Sequence, residues 1–545
     1  LKGLAMIAFE QDELVIHFRK FDQQEYAVFL RAKALPESSV VFHDEDETYS
    51  IRAPARFASM LGVELPAAER KELDLSPFLF DDQAAIVRMF LDAKRFACWS
   101  DCGLGKTPIM LECARHVINR TGGRVLIITL NEIVKQTIQE AEKFYGNSLP
   151  VHRIKSREEM RKWCREGGNG SQLAITNYEK MNPESLADQV VTEMRHLAGI
   201  ILDESNRLAQ GGGKQKWALI KSCKGIEYKL SCTATPAPND TMEFASQASF
   251  LEKMRSEGEI IWTYFIRDSK THRWKVKENA REQFFRFMSS WSIFVRDPRR
   301  YGWRNGMAEV PTPEIILHEI PANTDQLEAA SVYSVDRDGQ RMLPGIDDQD
   351  RNTIRRAKLS QIAKGFVYRK GEGGKFDRIK SAKPPAVARI VAKEVSDGLQ
   401  VLVWTVFDAE NKIVAEELRR KDPRLKFETL TGKTKDFDRF EIMERFRSGE
   451  CRVLISRTSM LGYGMNFQCC GSMVFSGFSD SYVSYYQAIR RAYRFGQTRS
   501  VRVHIPVVRD LEEDMLDNIF RKQGDHEAAI LEMERNYIET LRGRQ

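Results

Sequence analysis

The sequence predicts an α/β protein with two lobes built on parallel sheets, helical insertions between them, and a small β-rich N-terminal domain. Three observations carry this. Apolar strand-like runs alternate with helical stretches from about residue 76. A second set of such runs follows from about residue 386. The 545 residues exceed what one core holds and suggest two to four domains.

Residues 1–75 read as short strands, "AMIAFE", "LVIHFR", "YAVFL", "SVVFH" and "TYSIRA", forming a β-rich accessory domain. The acidic run Asp44–Glu47 beside His43 reads as a solvated hairpin tip and not as a metal site. The first lobe, 76–310, has the strands "FACWS", "VLIITL", "LAIT", "GIILDE" and "YKLSCTATP", continuous apolar runs suited to a buried parallel sheet. Its part 240–310 reads as a helical insertion rich in basic and aromatic residues. Residues 311–385 read as a helical linker with the loop "YRKGEGGKFDR", ending at Pro384-Pro385. The second lobe, 386–545, has "VLVWTVF", "FETL", "CRVLIS", "SMVFSGF" and "VRVHIPVV", then a C-terminal helix.

Composition narrows the class. Charged residues are 30% and hydrophobic ones 42%, ordinary for a globular chain, and the net charge of +7 permits a nucleic-acid partner without demanding one. Nine cysteines without a CxxC pair read as reduced thiols of the cytoplasm. No signal peptide and no run of roughly 18 apolar residues is present, so no membrane span is expected. The chain opens at Leu1 and not at Met, as a trimmed piece of something longer would.

The first strand of the first lobe runs into "SDCGLGKTPIM". Its Gly-Lys-Thr ends a phosphate-loop pattern with Ser100 at the first glycine position. Gly103, Leu104 and Gly105 turn backbone N–H groups toward a phosphate, Lys106 reaches the β and γ oxygens, and Thr107 ligates Mg²⁺. Pro108 is tolerated because first-turn N–H groups lack helical partners. In "GIILDESN", Asp203 falls at a strand's carboxyl end, where it would hold Mg²⁺ through water. Glu204 would orient and deprotonate the attacking water. In "QAIRRAYRFGQ", helical spacing puts Arg491 and Arg494 one turn apart, with Gln487 on the same face and no carboxylate in the stretch.

These segments, with "ITNYE", "SCTATPAPND" and "GYGMNF", occur in the order of superfamily 2 helicase motifs. They resemble the SNF2 (Swi2/Snf2) branch of DNA translocases, whose ending QAxxRxxRxGQ is present in every letter, and are closest to phage- or prophage-borne members. The resemblance covers roughly 76–510. It implies two RecA-like lobes with ATP and Mg²⁺ as cofactors. Gln83 then matches the glutamine that reads adenine, with Phe80 against the base. Thr233, Ala234 and Thr235 match the motif coupling ATP state to the track. Thr129, Asn177, Tyr178, Thr431, Gly432 and Thr458 match nucleic-acid backbone contacts, with Ser456 and Ser459 near the track. Gly462, Gly464 and Asn466 match the loop bridging track and nucleotide. Arg491 and Arg494 resemble arginine fingers awaiting the γ-phosphate.

Two departures stand out. The family's Asp-Glu-x-His box reads Asp203-Glu204-Ser205-Asn206, which alters the residue relaying to the coupling motif. "SDSYVSYY" replaces the usual Trp-Asn-Pro before the last motif.

Residues 262–304 hold 11 Lys/Arg against 4 Asp/Glu and many aromatics. Cations neutralise phosphates and aromatics stack on exposed bases, although Phe284, Phe285 and Phe287 read as core. The resemblance implies an ATP-dependent translocase on double-stranded DNA in a bacterial or phage-infected cytoplasm, with 1–75 open to a protein partner. One alternative is a strand-separating helicase on DNA or RNA, which a wedge hairpin in the insertion would favour. The other is an ATP-gated scaffold that recruits a partner enzyme.

Overall fold

A computed structural model describes residues 6–542 apart from 11–12, 19–22, 34, 36–37, 44–47, 56–57, 59–60, 62, 64–72, 167–169, 182–192, 211–212, 238–240, 255, 268–273, 305–309, 334–347, 370, 433, 435, 462–466, 480 and 495–496. The acidic run 44–47 and the loop residues Gly462, Gly464 and Asn466 therefore lie outside the described residues. The chain forms two compact units, Leu1–Asn305 with His526–Gln545, and Gly306–Asp525.

The N-terminal part holds an antiparallel sheet ordered β1-β2-β4-β3, from β1 (Met6–Glu10), β2 (Glu13–Phe18), β3 (Ser39–His43) and β4 (Thr48–Pro54). The stretch "YAVFL", expected as a strand, lies in the helix Gln23–Lys33. Val28 and Ala32, four residues apart, are buried while Ala27 and Leu30 are exposed; that is the stripe of a helix and not strand alternation.

The first unit's main sheet is parallel throughout, ordered β13-β5-β10-β9-β6-β8-β7. Its strands are β5 (Arg95–Ser100), β6 (Val125–Thr129), β7 (Val151–Arg153), β8 (Leu173–Asn177), β9 (Gly199–Leu202), β10 (Tyr228–Cys232) and β13 (Ser292–Val295). The five runs read from sequence are the five interior strands, each mostly or wholly buried. Edge strand β13 comes from the stretch read as helical insertion; "SIFV" follows the helix Arg281–Trp291 with no Gly or Pro to mark the change. In the chain between β10 and that helix lies an antiparallel hairpin, β11 (Phe265–Arg267) and β12 (Trp274–Val276).

Phe284, Phe285 and Phe287 are core, as expected. Trp291 from the insertion meets Trp99 of β5 edge-on at 5.5 Å, so the insertion packs directly beneath the strand that carries the phosphate loop.

The second unit's sheet is also parallel, ordered β14-β21-β20-β17-β19-β18. These are β14 (Glu314–Ile320), β17 (Gln400–Thr405), β18 (Phe427–Thr429), β19 (Val453–Arg457), β20 (Cys470–Phe475) and β21 (Arg502–Val508), with β15 (Phe366–Tyr368) and β16 (Phe376–Arg378) pairing separately. Segment 311–385 is thus more than a helical linker, because β14 is the sheet's edge strand, in seven-residue register with β21.

This unit buries an ion network. Glu512, fully buried, accepts from Lys364 Nζ (2.8 Å), Lys383 Nζ (2.5 Å) and the Val508 N–H (3.2 Å). Burial pulls the Lys383 ammonium down to about 8, with Glu512 opposing it. Glu512→Ala leaves two buried ammonium groups without their shared carboxylate. The expected cost is about 3–5 kcal/mol, or about 6–20 °C in the unfolding midpoint. A calorimetric midpoint within about 2 °C of wild type would contradict a stabilising role.

Candidate ATP site

The sheet order builds the site. β5, β10, β9 and β6 are neighbours, so the segments leaving their carboxyl ends line up on one rim. These segments are the phosphate loop, Thr233–Thr235, Asp203–Glu204, and Thr129 as the last residue of β6. The loop turns through Gly103 (φ 90°) and Gly105 (φ 74°) before the helix Lys106–Thr121 begins. A Cβ on Gly105 would run into the Gln83 side-chain amide, which would have to move, and the positive φ itself favours glycine there. Lys106 Nζ donates to the carbonyls of Ser100 (3.0 Å) and Asp101 (3.3 Å). Burial opposes its ammonium, but Cys102, Glu204 and Asp203 raise it above the ordinary lysine value.

Asp203 and Glu204 are both buried. Burial first, and then the Glu204 charge, push Asp203 up to about 6. Asp203 accepts from the Thr129 hydroxyl (2.8 Å) and from the Glu204 N–H (3.0 Å). Glu204 has φ 49°, a left-handed conformation costly for a residue with a side chain and held here by its surroundings. The Ser205 N–H donates to the Cys232 carbonyl (2.9 Å), and the Arg207 N–H to the Glu204 carbonyl (3.1 Å). The turn joins the carboxylates to the coupling motif. Thr233 Oγ1 donates to Glu204 Oε2 (3.5 Å), and Asn206 Nδ2 donates to Thr235 Oγ1 (3.1 Å). The residue altered from the family pattern therefore still reaches the coupling motif.

The donor set fits Mg-ATP. Among the described residues no group of three or more His, Cys, Asp or Glu could cage a metal. A desolvated acidic pair beside a glycine loop, Lys106 and Thr107 suits a cation held partly by phosphates and water.

Gln83 is buried, accepts from the Phe80 N–H (3.1 Å) and donates to the Leu104 carbonyl (3.0 Å). It braces the phosphate loop, while the Phe80 ring is exposed. Two expected nucleic-acid contacts are corrected. The Thr129 side chain is fully buried, with its hydroxyl given to Asp203. Tyr178 is buried, and its hydroxyl donates to the Asp203 carbonyl (2.7 Å). Hydroxyls committed inside the protein are not available to a phosphodiester; both instead hold Asp203 in place.

Asn177 differs. It donates to Asn131 Oδ1 (2.9 Å) at a recess of about 140 Å³ whose lining includes Arg153, Lys155 and Lys180. Sequence reasoning missed these cations, which lie in no motif. It also missed Gln247, fully buried on the helix Phe244–Phe250. Its Oε1 accepts from Ser205 Oγ (3.0 Å), Ser231 Oγ and Trp99 Nε1 (3.4 Å), and its Nε2 donates to the Pro236 carbonyl (3.3 Å). The insertion thus supports the turn after Asp203 and Glu204 through Ser205.

In the second unit, Gln487 lies on the helix Tyr482–Ile489, buried, with neither amide atom hydrogen-bonded among the described residues. The helix ends at Ile489, so Arg491 and Arg494 follow it in a turn instead of on the continuing α-helix that the spacing predicts. Beyond it the Arg491 and Ala492 N–H groups bond three residues back and the Arg494 N–H bonds two back, tightening the turn. Gln497 secures that turn by donating to the carbonyls of Gln468 (3.0 Å), Cys470 (3.1 Å) and Ala492 (3.4 Å). Arg490 is a structural arginine, 5.3 Å from the Tyr486 ring centre and 4.4 Å from that of Tyr493. Thr431 and Thr458 are half-buried; the Thr431 N–H donates to Thr434 Oγ1 (3.1 Å).

Among the described residues no helix is long and apolar enough to cross a membrane. Residues 77–238 match the family described as Type III restriction enzyme, res subunit, and residues 382–496 match the Helicase conserved C-terminal domain. Putative protein p41 of Acyrthosiphon pisum secondary endosymbiont phage 1 is 24% identical over 487 residues, covering 83% of this chain and 96% of that protein. The Sulfolobus solfataricus SWI2/SNF2 ATPase core in complex with dsDNA is 18% identical with a TM-score of 0.39, covering 86% of this chain and 98% of that one. With one family match on each parallel-sheet unit and the ATP-site motifs on the rim of the first, the chain is a superfamily 2 helicase-like ATPase with a phage protein among its relatives.

Proposed function

We propose that the protein is an SNF2-like translocase that uses Mg-ATP hydrolysis to move along double-stranded DNA in a bacterial or phage-infected cell. The observation that carries this reading is the hydrogen-bonded link from the hydrolytic pair to the coupling motif, Glu204 to Thr233 and Asn206 to Thr235. An ATPase with incidental turnover has no need of such a link. Lys106 and the phosphate-loop N–H groups hold the phosphates. Thr107 and Asp203 would hold Mg²⁺, which when bound draws charge from the phosphate oxygens. Glu204 takes the proton of the attacking water. Gln487, Arg491 and Arg494 of the second unit act on the γ-phosphate. Asn177, with the cations around its recess, and Thr431 and Thr458 of the second unit contact the DNA backbone. Residues 1–75 serve as an accessory domain for a protein partner.

The test is ATP hydrolysis by the purified chain alone and with duplex DNA, single-stranded DNA or RNA, at low and moderate salt. Stimulation by duplex DNA is expected, falling as salt rises. Indifference to every nucleic acid would remove the reading. A second reading, strand separation, is favoured by the hairpin β11–β12 in the insertion; stimulation by single strands or RNA above duplex would favour it.

A further inference from the structure

The hairpin of the first-unit insertion presents an apolar, cationic face that the ATP site does not use. Trp262, in the last turn of the helix Glu257–Tyr264, is 76% exposed, and Ile266 on β11 is 58% exposed. The strand register explains why Ile266 stays outside. Phe265 pairs with Val276 on one face, and the Phe265 ring is buried against Phe284, 5.3 Å between ring centres. Alternation puts Ile266 and its cross-strand partner Lys275 on the opposite, outward face. Lys277 Nζ sits at the helix end, donating to the carbonyls of Trp262 (2.7 Å) and Thr263 (3.1 Å). The described residues Trp262–Arg267 and Trp274–Lys277 contain three cations and no carboxylate, against Glu259 one turn before Trp262 and Glu278 directly after Lys277.

We infer that this face takes an unpaired nucleic-acid strand at a junction with duplex, a base stacking on Trp262 beside Ile266 and the strand's phosphates meeting Lys275 and Lys277. The charge selects a polyanion, and the exposed indole selects one that offers a π-face. Pairs inside a duplex keep both faces stacked and only a terminal pair exposes one, so an unpaired arm offers the faces that this site takes. The inference rests on the nucleic-acid reading above but adds to it: the insertion discriminates forked from blunt DNA.

The experiment measures fluorescence anisotropy of labelled DNA with the full chain, comparing a blunt duplex with the same duplex carrying an unpaired arm. The arm is expected to tighten binding by about 5- to 100-fold. Trp262→Ala removes that gain, Trp262→Phe keeps most of it, and Lys275→Glu reduces it through the phosphates; unfolding midpoints check that each variant is folded. No gain from the arm in the wild type, or a gain that survives in Trp262→Ala, overturns the inference. Hydrolysis by the wild type with the blunt duplex is measured alongside. Its absence counts against duplex translocation, whereas the arm-dependent binding decides the stacking face on its own.

Discussion

Lys106→Ala and Glu204→Gln each stop ATP hydrolysis, by different routes. Lys106 is the cation of the phosphate loop, now bonded to the carbonyls of Ser100 and Asp101 on the rim where phosphates would lie. Losing such a preorganised group costs about 10²–10³ in turnover, and nucleotide binding weakens with it. Glu204→Gln is nearly isosteric and keeps an acceptor for the Thr233 hydroxyl. It cannot take a proton, so turnover falls by about 10²–10⁴ while nucleotide binding persists. The left-handed backbone at Glu204 makes glutamine the right probe, since it adds no steric demand to a turn already bonded through Ser205 and Arg207. Steady-state hydrolysis with a fluorescent-nucleotide binding assay separates the two effects. More than about a tenth of wild-type turnover in both variants would contradict the site, because the general base and the phosphate cation cannot both be dispensable.

The sequence made some parts of this legible and hid others, for physical reasons. Fully buried parallel strands are short apolar runs bounded by turns, so "FACWS", "VLIIT" and "VLVWT" could be read directly. Edge strands lack that signature. The alternation in β14 leaves Ile315 and Leu317 exposed, and β13 runs on from a helix without punctuation. "YAVFL" is apolar with both periods available, and only its packing chooses the helix. The phosphate loop and the acidic pair were legible because their chemistry is local to a few consecutive residues. Gln247 is 42 residues beyond the Ser205 it supports, so only the fold reveals their contact. Thr129 and Tyr178 show the converse limit: a motif marks a residue without saying which way its hydroxyl points. Both lie in the expected place, yet they serve Asp203.

The same distinction governs the three arginines of "QAIRRAYR", and replacing each in turn separates them. Arg490 lies between two tyrosine rings, and burial lowers its guanidinium to about 10. Arg490→Ala should lower the unfolding midpoint, because stacking and packing are lost together. Arg491→Ala and Arg494→Ala should instead reduce hydrolysis by about 10³–10⁵. Lysine at either position should recover little, since a point charge cannot reproduce a planar fork spread over phosphoryl oxygens. The turn after Ile489 makes this contrast sharper than helical spacing alone suggested. Its tightened hydrogen bonds, and the three carbonyls held by Gln497, fix the backbone at Arg491 independently of its side chain. Arg491 is buried like Arg490, so a kinetic loss with an unchanged unfolding midpoint is the result that would report on charge at the phosphate. If turnover in both alanine variants stayed within about tenfold of wild type while the midpoint fell, these arginines would be packing residues like Arg490. The buried amide of Gln487, without a hydrogen bond among the described residues, would then be a candidate for contact with the nucleotide.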